Sequence, residues 1–162
     1  PTGKPLFMNS ADLQTFIDRH KIQATILPLK EHTPTVSDAA RVLRVDNDQI
    51  IKSLVFQVNN EPLLVINNGL ARVDRRKLAA YLGVGRKKVK FADPDQARAL
   101  TGYIVGSMPP FGHRNKLRTL VDSAVFNWGV IYGGGGDINA MMRLTPEVLR
   151  VVSDAEVTPL SE

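Results

Sequence analysis

The sequence contains no cysteine. That absence excludes disulfides, thiolate metal sites and a cysteine nucleophile together. Long apolar runs are also missing. None approaches the ~20 residues of a membrane-spanning helix, and residues 1–7 lack the extended apolar core of a secretory signal. A soluble, cytoplasmic protein is therefore expected. Several catalytic signatures are absent as well. There is no Walker lysine loop, no Gly-x-Gly-x-x-Gly after a strand, no paired-histidine zinc helix and no Gly-x-Ser-x-Gly elbow. His20, His32 and His113 are scattered, without a second ligand at metal spacing. Loop or surface roles suit them better than ligation, and neither a metal nor a cofactor is expected.

What is present is an ordinary globular balance. The 162 residues are 43% hydrophobic and 23% charged, which suits a single domain over residues 1–162. The net charge is +5 and the pI about 9.7, but the charge is uneven. Arg72, Arg75, Arg76, Lys77, Arg86, Lys87, Lys88 and Lys90 stand against Asp74 alone between residues 71 and 90, and Arg114, Lys116 and Arg118 form a second cluster. Such patches attract phosphate backbones. A solvated helix face carrying ordinary lysines explains the same composition.

The pattern of elements alternates, with short connections. Asn9 or Ser10 caps a first helix whose buried side is Leu13, Phe16 and Ile17. A strand covers 24–29. Pro34 and Thr35 open a second helix, which Asp46-Asn47-Asp48 is expected to end. Strands at 50–58 and 63–67 flank the turn Asn59-Asn60-Glu61-Pro62. A basic helix spans 74–82 with Gly83 at its stop. A strand at 89–91 leads to Asp93-Pro94, a strong helix start, and that helix stops near Gly102. Strands are expected at 103–105, 119–122, 128–132 and 141–144, and Thr145-Pro146 starts a last helix through Leu149. Runs of strands interrupted by helices favour an α/β protein of α+β type, with a mixed, barrel-like central sheet surrounded by helices.

Three features stand out. Alternation along a strand puts Lys52 on the same face as Ile50, Leu54, Phe56 and Val58. Burying an unpaired ammonium is unfavourable. Lys52 is then either an edge lysine whose head reaches water or a fixed cation at a cleft, and residue types do not choose between them. The second feature is the stiff stretch Gly102-Tyr103-Ile104-Val105-Gly106-Ser107-Met108-Pro109-Pro110-Phe111-Gly112-His113, which reads as a structural turn or as a loop presenting backbone groups. The third is Gly133-Gly134-Gly135-Gly136, either a flexible hairpin tip or a place of close backbone approach.

In order and spacing, these features resemble the YbaK-like family of aminoacyl-tRNA deacylases, related to the editing domain of bacterial prolyl-tRNA synthetases. The resemblance runs from about Leu13 to Leu149. It rests on residues 35–40, on Ile50-Ile51-Lys52-Ser53-Leu54-Val55-Phe56, on Thr101-Gly102-Tyr103-Ile104-Val105-Gly106, on the Gly-x-x-x-Pro loop from Gly106 to Pro110, and on the glycine run. It implies hydrolysis of the ester joining a wrong amino acid to tRNA, typically proline tRNA, by a free-standing editor acting in trans. It places Lys52 at the functional lysine. It makes Gly106, Ser107, Met108, Pro109 and Pro110 the substrate-orienting loop, with His32, Gly134 and Gly135 as further substrate contacts. The basic residues Arg72, Arg75, Arg76, Lys77, Lys87 and Lys88 would then hold the tRNA, and prolyl-tRNA synthetase becomes a candidate partner. Some members carry a tyrosine where this chain has Leu27-Pro28-Leu29, so the amino acid removed stays open among alanine, cysteine and serine. The competing reading is a nucleic-acid-binding module of the same fold without catalysis, which the basic patch supports equally.

Overall fold

The structure, a computed structural model, describes residues 7–162. The expectation about a signal segment concerns residues 1–7 and lies largely outside that range. Among the described residues, eight strands and five helices follow in this order: α1 (Ser10–His20), β1 (Thr25–Pro28), α2 (Val36–Leu43), β2 (Ile51–Val58), β3 (Glu61–Asn68), α3 (Arg75–Leu82), β4 (Val89–Phe91), α4 (Pro94–Thr101), β5 (Thr119–Asp122), β6 (Ile131–Gly134), β7 (Ala140–Leu144), α5 (Pro146–Ser153) and β8 (Glu156–Thr158). Within the same range, no helix is long and apolar enough to cross a membrane.

Local chemistry accounts for most element ends. Asn9 caps α1 and Asp12 answers in a reciprocal box. Asp93 and Gln96 do the same for α4, with Pro94 in its first turn and left-handed Gly102 after its last. Such boxes satisfy amide donors that a helix leaves free. Thr35 caps α2 through its hydroxyl, while Asp38 accepts from that hydroxyl instead of closing a box. The second helix ends earlier than expected. Arg44 takes the left-handed conformation after Leu43, and Asp46 instead caps a separate turn at Asn47–Gln49.

The sheet is mixed, as expected, and surrounded by helices, but it does not close into a barrel. Five strands run in the order β4-β2-β3-β5-β8 and three in the order β1-β7-β6. In the larger sheet, β3–β5 and β5–β8 are parallel and the other pairs antiparallel. An isolated bridge from Ile50 to Tyr132 joins the two sheets. Ile51 and Val55 face a core shared with α1, α4, α5 and the smaller sheet. Phe56 and Val58 face the opposite way, against Leu78 and Ala79 of α3. Helix α2 covers the joint between the sheets, where Ala39 and Ala40 pack with Ile50 and Met141.

Two strand expectations need correction. Residues 103–105 form no strand, because the Ile104 carbonyl accepts from both the amide and the hydroxyl of Ser107 and so closes a turn. The expected strand at 128–132 lies later, at Ile131–Gly134, where pairing with β7 begins at Ile131 and Leu144. Strand β8 has no counterpart among the expected elements. Its three residues, Glu156, Val157 and Thr158, carry no apolar alternation and are ordered by parallel pairing to β5.

Because α4 delivers the stretch from Gly102 onward, its cap is a sensitive position. Replacing Asp93 with Ala is expected to lower unfolding free energy by about 1 kcal/mol, the usual effect of losing an N-cap. Leu64→Ala, at a fully buried position of β3, is expected to lower it by about 2–5 kcal/mol. Urea unfolding of both variants measures the difference.

Candidate active site

Strand β2 has a divided edge. Its second half pairs with β4 from Phe56 to Val58, and its start touches β6 through the Ile50–Tyr132 bridge. The opposite edge of residues 51–54 pairs with β3, but on this edge, among the described residues, no strand is paired with them between these contacts. Antiparallel alternation directs the backbone groups of Ser53 to that open side, since Ile50 and Val55 already show the two opposite directions by accepting from Gly69 and Ala92.

A cleft of about 380 Å³ fills the gap. Thr33, Thr35, Val36 and Ala39 form one wall; Ile50, Lys52, Ser53 and Leu54 form another; Val105, Gly106, Met108, Gly134 and Met141 complete the lining. The lining is mainly apolar, with a cation and a few hydroxyls, the usual make-up of a small-ligand site.

Lys52 is anchored. Its Nζ donates to the Ala71 carbonyl at 2.6 Å, and Asn67 Nδ2 donates to the same oxygen at 2.9 Å. Asn67 is fully buried and also donates to Ser161 Oγ at 3.2 Å; Ser161 in turn donates to buried Asp122. Lys52 is thus held by a carbonyl in a polar chain and not by a carboxylate. Partial desolvation pulls its pKa below that of an ordinary lysine. Ammonium donors beyond the one given to Ala71 remain for a ligand. Lys52 lines a second, wider groove too, of about 710 Å³, with Arg72, Arg75, Arg76, Arg86 and Phe91. The small cleft and the basic groove therefore share Lys52 as a wall.

The loop after α4 is built for position. Gly106 has φ +97°, and nothing lies within 4 Å of where a Cβ would stand. Its requirement is therefore the left-handed backbone, not room. Ser107, Met108, Pro109 and Pro110 are buried, and only Met108 among them reaches the cleft. Behind the loop, the Pro109 carbonyl accepts from His113 Nε2 at 2.7 Å, and the His113 ring meets buried Tyr103 edge-on at 6.2 Å. In front, Gly136 N–H donates to the Ser107 carbonyl at 2.9 Å. A Cβ on Gly134 would collide with the Met108 carbonyl oxygen. The glycine run thus serves close packing of the chain against its own loop.

Other sequence candidates fall in different places. His32 is exposed and adjoins cleft-lining Thr33 without lining the cleft itself, and Gly135 packs against Ala140 outside it. Lys77 donates to the Ser161 carbonyl. Lys87 and Lys88 lie exposed on the turn Arg86–Lys88, outside the groove lining. Sequence reasoning missed Val105, 62% exposed at the cleft, as well as Ser53 and Asn67. All three have the look of ordinary strand residues in the sequence. Their importance depends on which edge is open and where residue 71 returns. Among the described residues no His, Cys, Asp and Glu cluster could hold a metal ion.

Two outcomes follow from this geometry. Gly134→Ala should displace the loop and lower turnover about 100-fold, the scale of an ångström-level misplacement. Gly85→Ala, with open space and no positive φ, should leave turnover and thermal midpoint unchanged. The second concerns His113, whose burial holds its pKa below 6.5 despite the opposing Pro109 bond. The unfolded chain then takes up the proton first on acidification. Its contribution to stability is complete above about 6.5 and declines as pH falls toward the lower folded value. Urea midpoints measured from pH 7.5 to 5 should decline less steeply in His113→Gln.

Known proteins share this fold and sequence pattern. A solved structure described as a candidate trans-editing enzyme for prolyl-tRNA synthetase superposes with a TM-score of 0.88 and 27% identity, covering 99% of both chains. The uncharacterized protein YwhH of Bacillus subtilis is 23% identical over 93% of this chain and 94% of its own length. The proline–tRNA ligase of Lactiplantibacillus plantarum is 26% identical over 77% of this chain. The match spans only 23% of that ligase. Residues 30–151 match the aminoacyl-tRNA editing domain family, and with the divided edge, the anchored lysine and the Gly106 loop in place, the chain belongs to that family of YbaK-like aminoacyl-tRNA deacylases.

Proposed function

We propose that this deacylase acts in trans on proline tRNA carrying a small wrong amino acid, with alanine, cysteine and serine as the candidates. The observation that carries the reading is the position of Lys52, shared by a small, mainly apolar cleft and a wide basic groove. An aminoacyl ester has the same division, a small side chain on one side of the bond and a polyanion on the other. The relatives include a prolyl-tRNA synthetase and a candidate trans-editing enzyme for it, which supports the proline assignment and a docking role for that synthetase. Action in the cytoplasm, and one domain over residues 1–162, belong to the same reading.

In this mechanism the amino acid enters the cleft and the terminal ribose lies against Lys52. The ammonium meets negative charge, either on the ester oxygen as it develops or on the adjoining phosphate. Backbone groups of the Gly106 loop and of Ser53 orient the amine and carbonyl. Water attacks the carbonyl carbon and the ester C–O bond breaks: the water's oxygen stays with the released amino acid and a proton passes to the ribose oxygen, restoring the tRNA hydroxyl. Where a neighbouring ribose hydroxyl attacks first, the acyl group only moves to that oxygen, and water then cleaves the new ester in the same way. No side chain is assigned as general base. Orientation within the cleft supplies several kcal/mol toward the barrier. Apolar walls reject an added hydroxyl only about 100-fold, no better than an added methylene, so alanine and serine compete on modest terms. The groove arginines Arg72, Arg75 and Arg76, with Lys77, Lys87 and Lys88 farther out, hold acceptor-stem phosphates and give position without reading sequence.

The test is release of amino acid from alanyl-, cysteinyl- and seryl-tRNA of the proline type. Turnover of at least one is expected at micromolar enzyme, and silence on all three overturns the substrate assignment. Lys52→Ala should reduce the rate about 100–1,000-fold; an unchanged rate removes Lys52 from the mechanism.

A further inference from the structure

The basic groove contains a feature that charge alone does not explain. Phe91, on the short edge strand β4, exposes 51% of its surface. Its ring stacks on buried Phe56 with centroids 4.3 Å apart, and the Arg75 guanidinium lies 4.9 Å from its centroid. The three side chains form a short column rising from the core to the groove surface. Arg72, Arg76 and Arg86 line the same groove, together with the carboxylates Asp74 and Glu162; Asp74 is occupied in capping α3, and neither these arginines nor Arg75 enter any of the ion pairs found among the described residues. The groove reaches Lys52, which also borders the ester cleft.

We propose that Phe91 and Arg75 form a stacking platform for an unpaired nucleobase of the tRNA 3′ end, just upstream of the nucleotide that carries the ester. The direction of the strand, with its ester at Lys52, rests on the deacylase reading above. Two independent requirements of a single-stranded RNA end meet here. Phosphates need an excess of cations, and here four arginines and Lys52 outnumber the carboxylates Asp74 and Glu162, with which none of the arginines is paired. Unpaired bases need a π-face or a guanidinium plane; Phe56 takes one face of the Phe91 ring, so a base stacks on the exposed Arg75 guanidinium that the ring backs, or takes that guanidinium's place over the ring. A folded polypeptide partner would use the aromatic surface but leave the row of arginines without a purpose. Stacking accepts any base. The platform therefore adds affinity for an unpaired end and leaves the choice among tRNAs to other contacts.

The experiment is equilibrium binding of the whole protein to two uncharged RNA hairpins that differ only in the 3′ overhang. One overhang is CCA; the other has the same phosphates with abasic riboses before the terminal adenosine. The wild-type protein should prefer the intact overhang about 10-fold, within the usual range for one base on one aromatic ring. Phe91→Ala should bind both at the abasic level with an unchanged salt slope, and Phe91→Trp should keep the preference. Phe91→Leu retains contact with Phe56 but has no π-face, so it should also lose the preference while remaining folded by urea melting. Arg72→Ala should weaken both complexes alike and flatten the salt dependence. Equal binding of the two overhangs by the wild-type protein overturns the proposal, as does a preference that survives in Phe91→Ala and Phe91→Leu. Binding is read without hydrolysis, so the two ideas fail separately: preference without turnover on any charged tRNA defeats the substrate assignment alone, and turnover without preference defeats the platform alone.

Discussion

Lys52 carries a positive charge on a strand whose neighbouring residues are building a core. Taking an ammonium partly out of water is unfavourable unless its donors are met. Here the Ala71 carbonyl meets one of them, and Asn67 fixes that carbonyl from the buried side. The consequence reaches outward. The chain after β3 must return so that residue 71 passes under β2, and Asn67 must be buried with Ser161 and Asp122 behind it. A carboxylate at the same place would neutralise the charge. A carbonyl holds it in position and leaves it available to an anionic ligand.

A second constraint, the interrupted pairing along β2, places that lysine at the wall of a cleft. A continuous neighbour would bury the backbone of residues 51–54 and cover the lysine's flank. Strand β4 is short and pairs only from Phe56 onward, while the bridge from β6 is at Ile50, just before β2 begins. The opening between them receives the Gly106 loop, which is clamped by His113 on one side and by Gly134 and Gly136 on the other. Unpaired strand edges invite unwanted pairing. In this fold, α2 and the loop enclose the open segment and make it a concave surface.

Much of this was legible in the residue pattern. Capping chemistry marked the starts of α1, α2, α4 and α5, because Asn9, Thr35, Asp93 and Thr145 act on amides within three residues, and Gly83 marked the end of α3. Strands β2, β4, β5 and β7 were recognisable from apolar character and bounding turns. Strand β8 was not, since its order comes from β5, a neighbour far earlier in the chain. The stretch 103–105 misled for the opposite reason. Tyr103, Ile104 and Val105 have strong strand character, yet a local turn takes the Ile104 carbonyl before any strand can pair with it.

By itself the sequence determined the periodicities, the caps, the placement of charge and the side of β2 on which Lys52 lies. All of these depend on residues a few positions apart, or on the strict twofold repeat of a strand. Tertiary structure decided whether Lys52 was a surface lysine or a fixed cation, since the Ala71 carbonyl and the edge left open by β4 and β6 are long-range facts. It also decided that the glycine run packs against the Gly106 loop and does not form a free hairpin tip. A missing Cβ tells only that close approach is allowed; which backbone approaches is settled when distant segments meet.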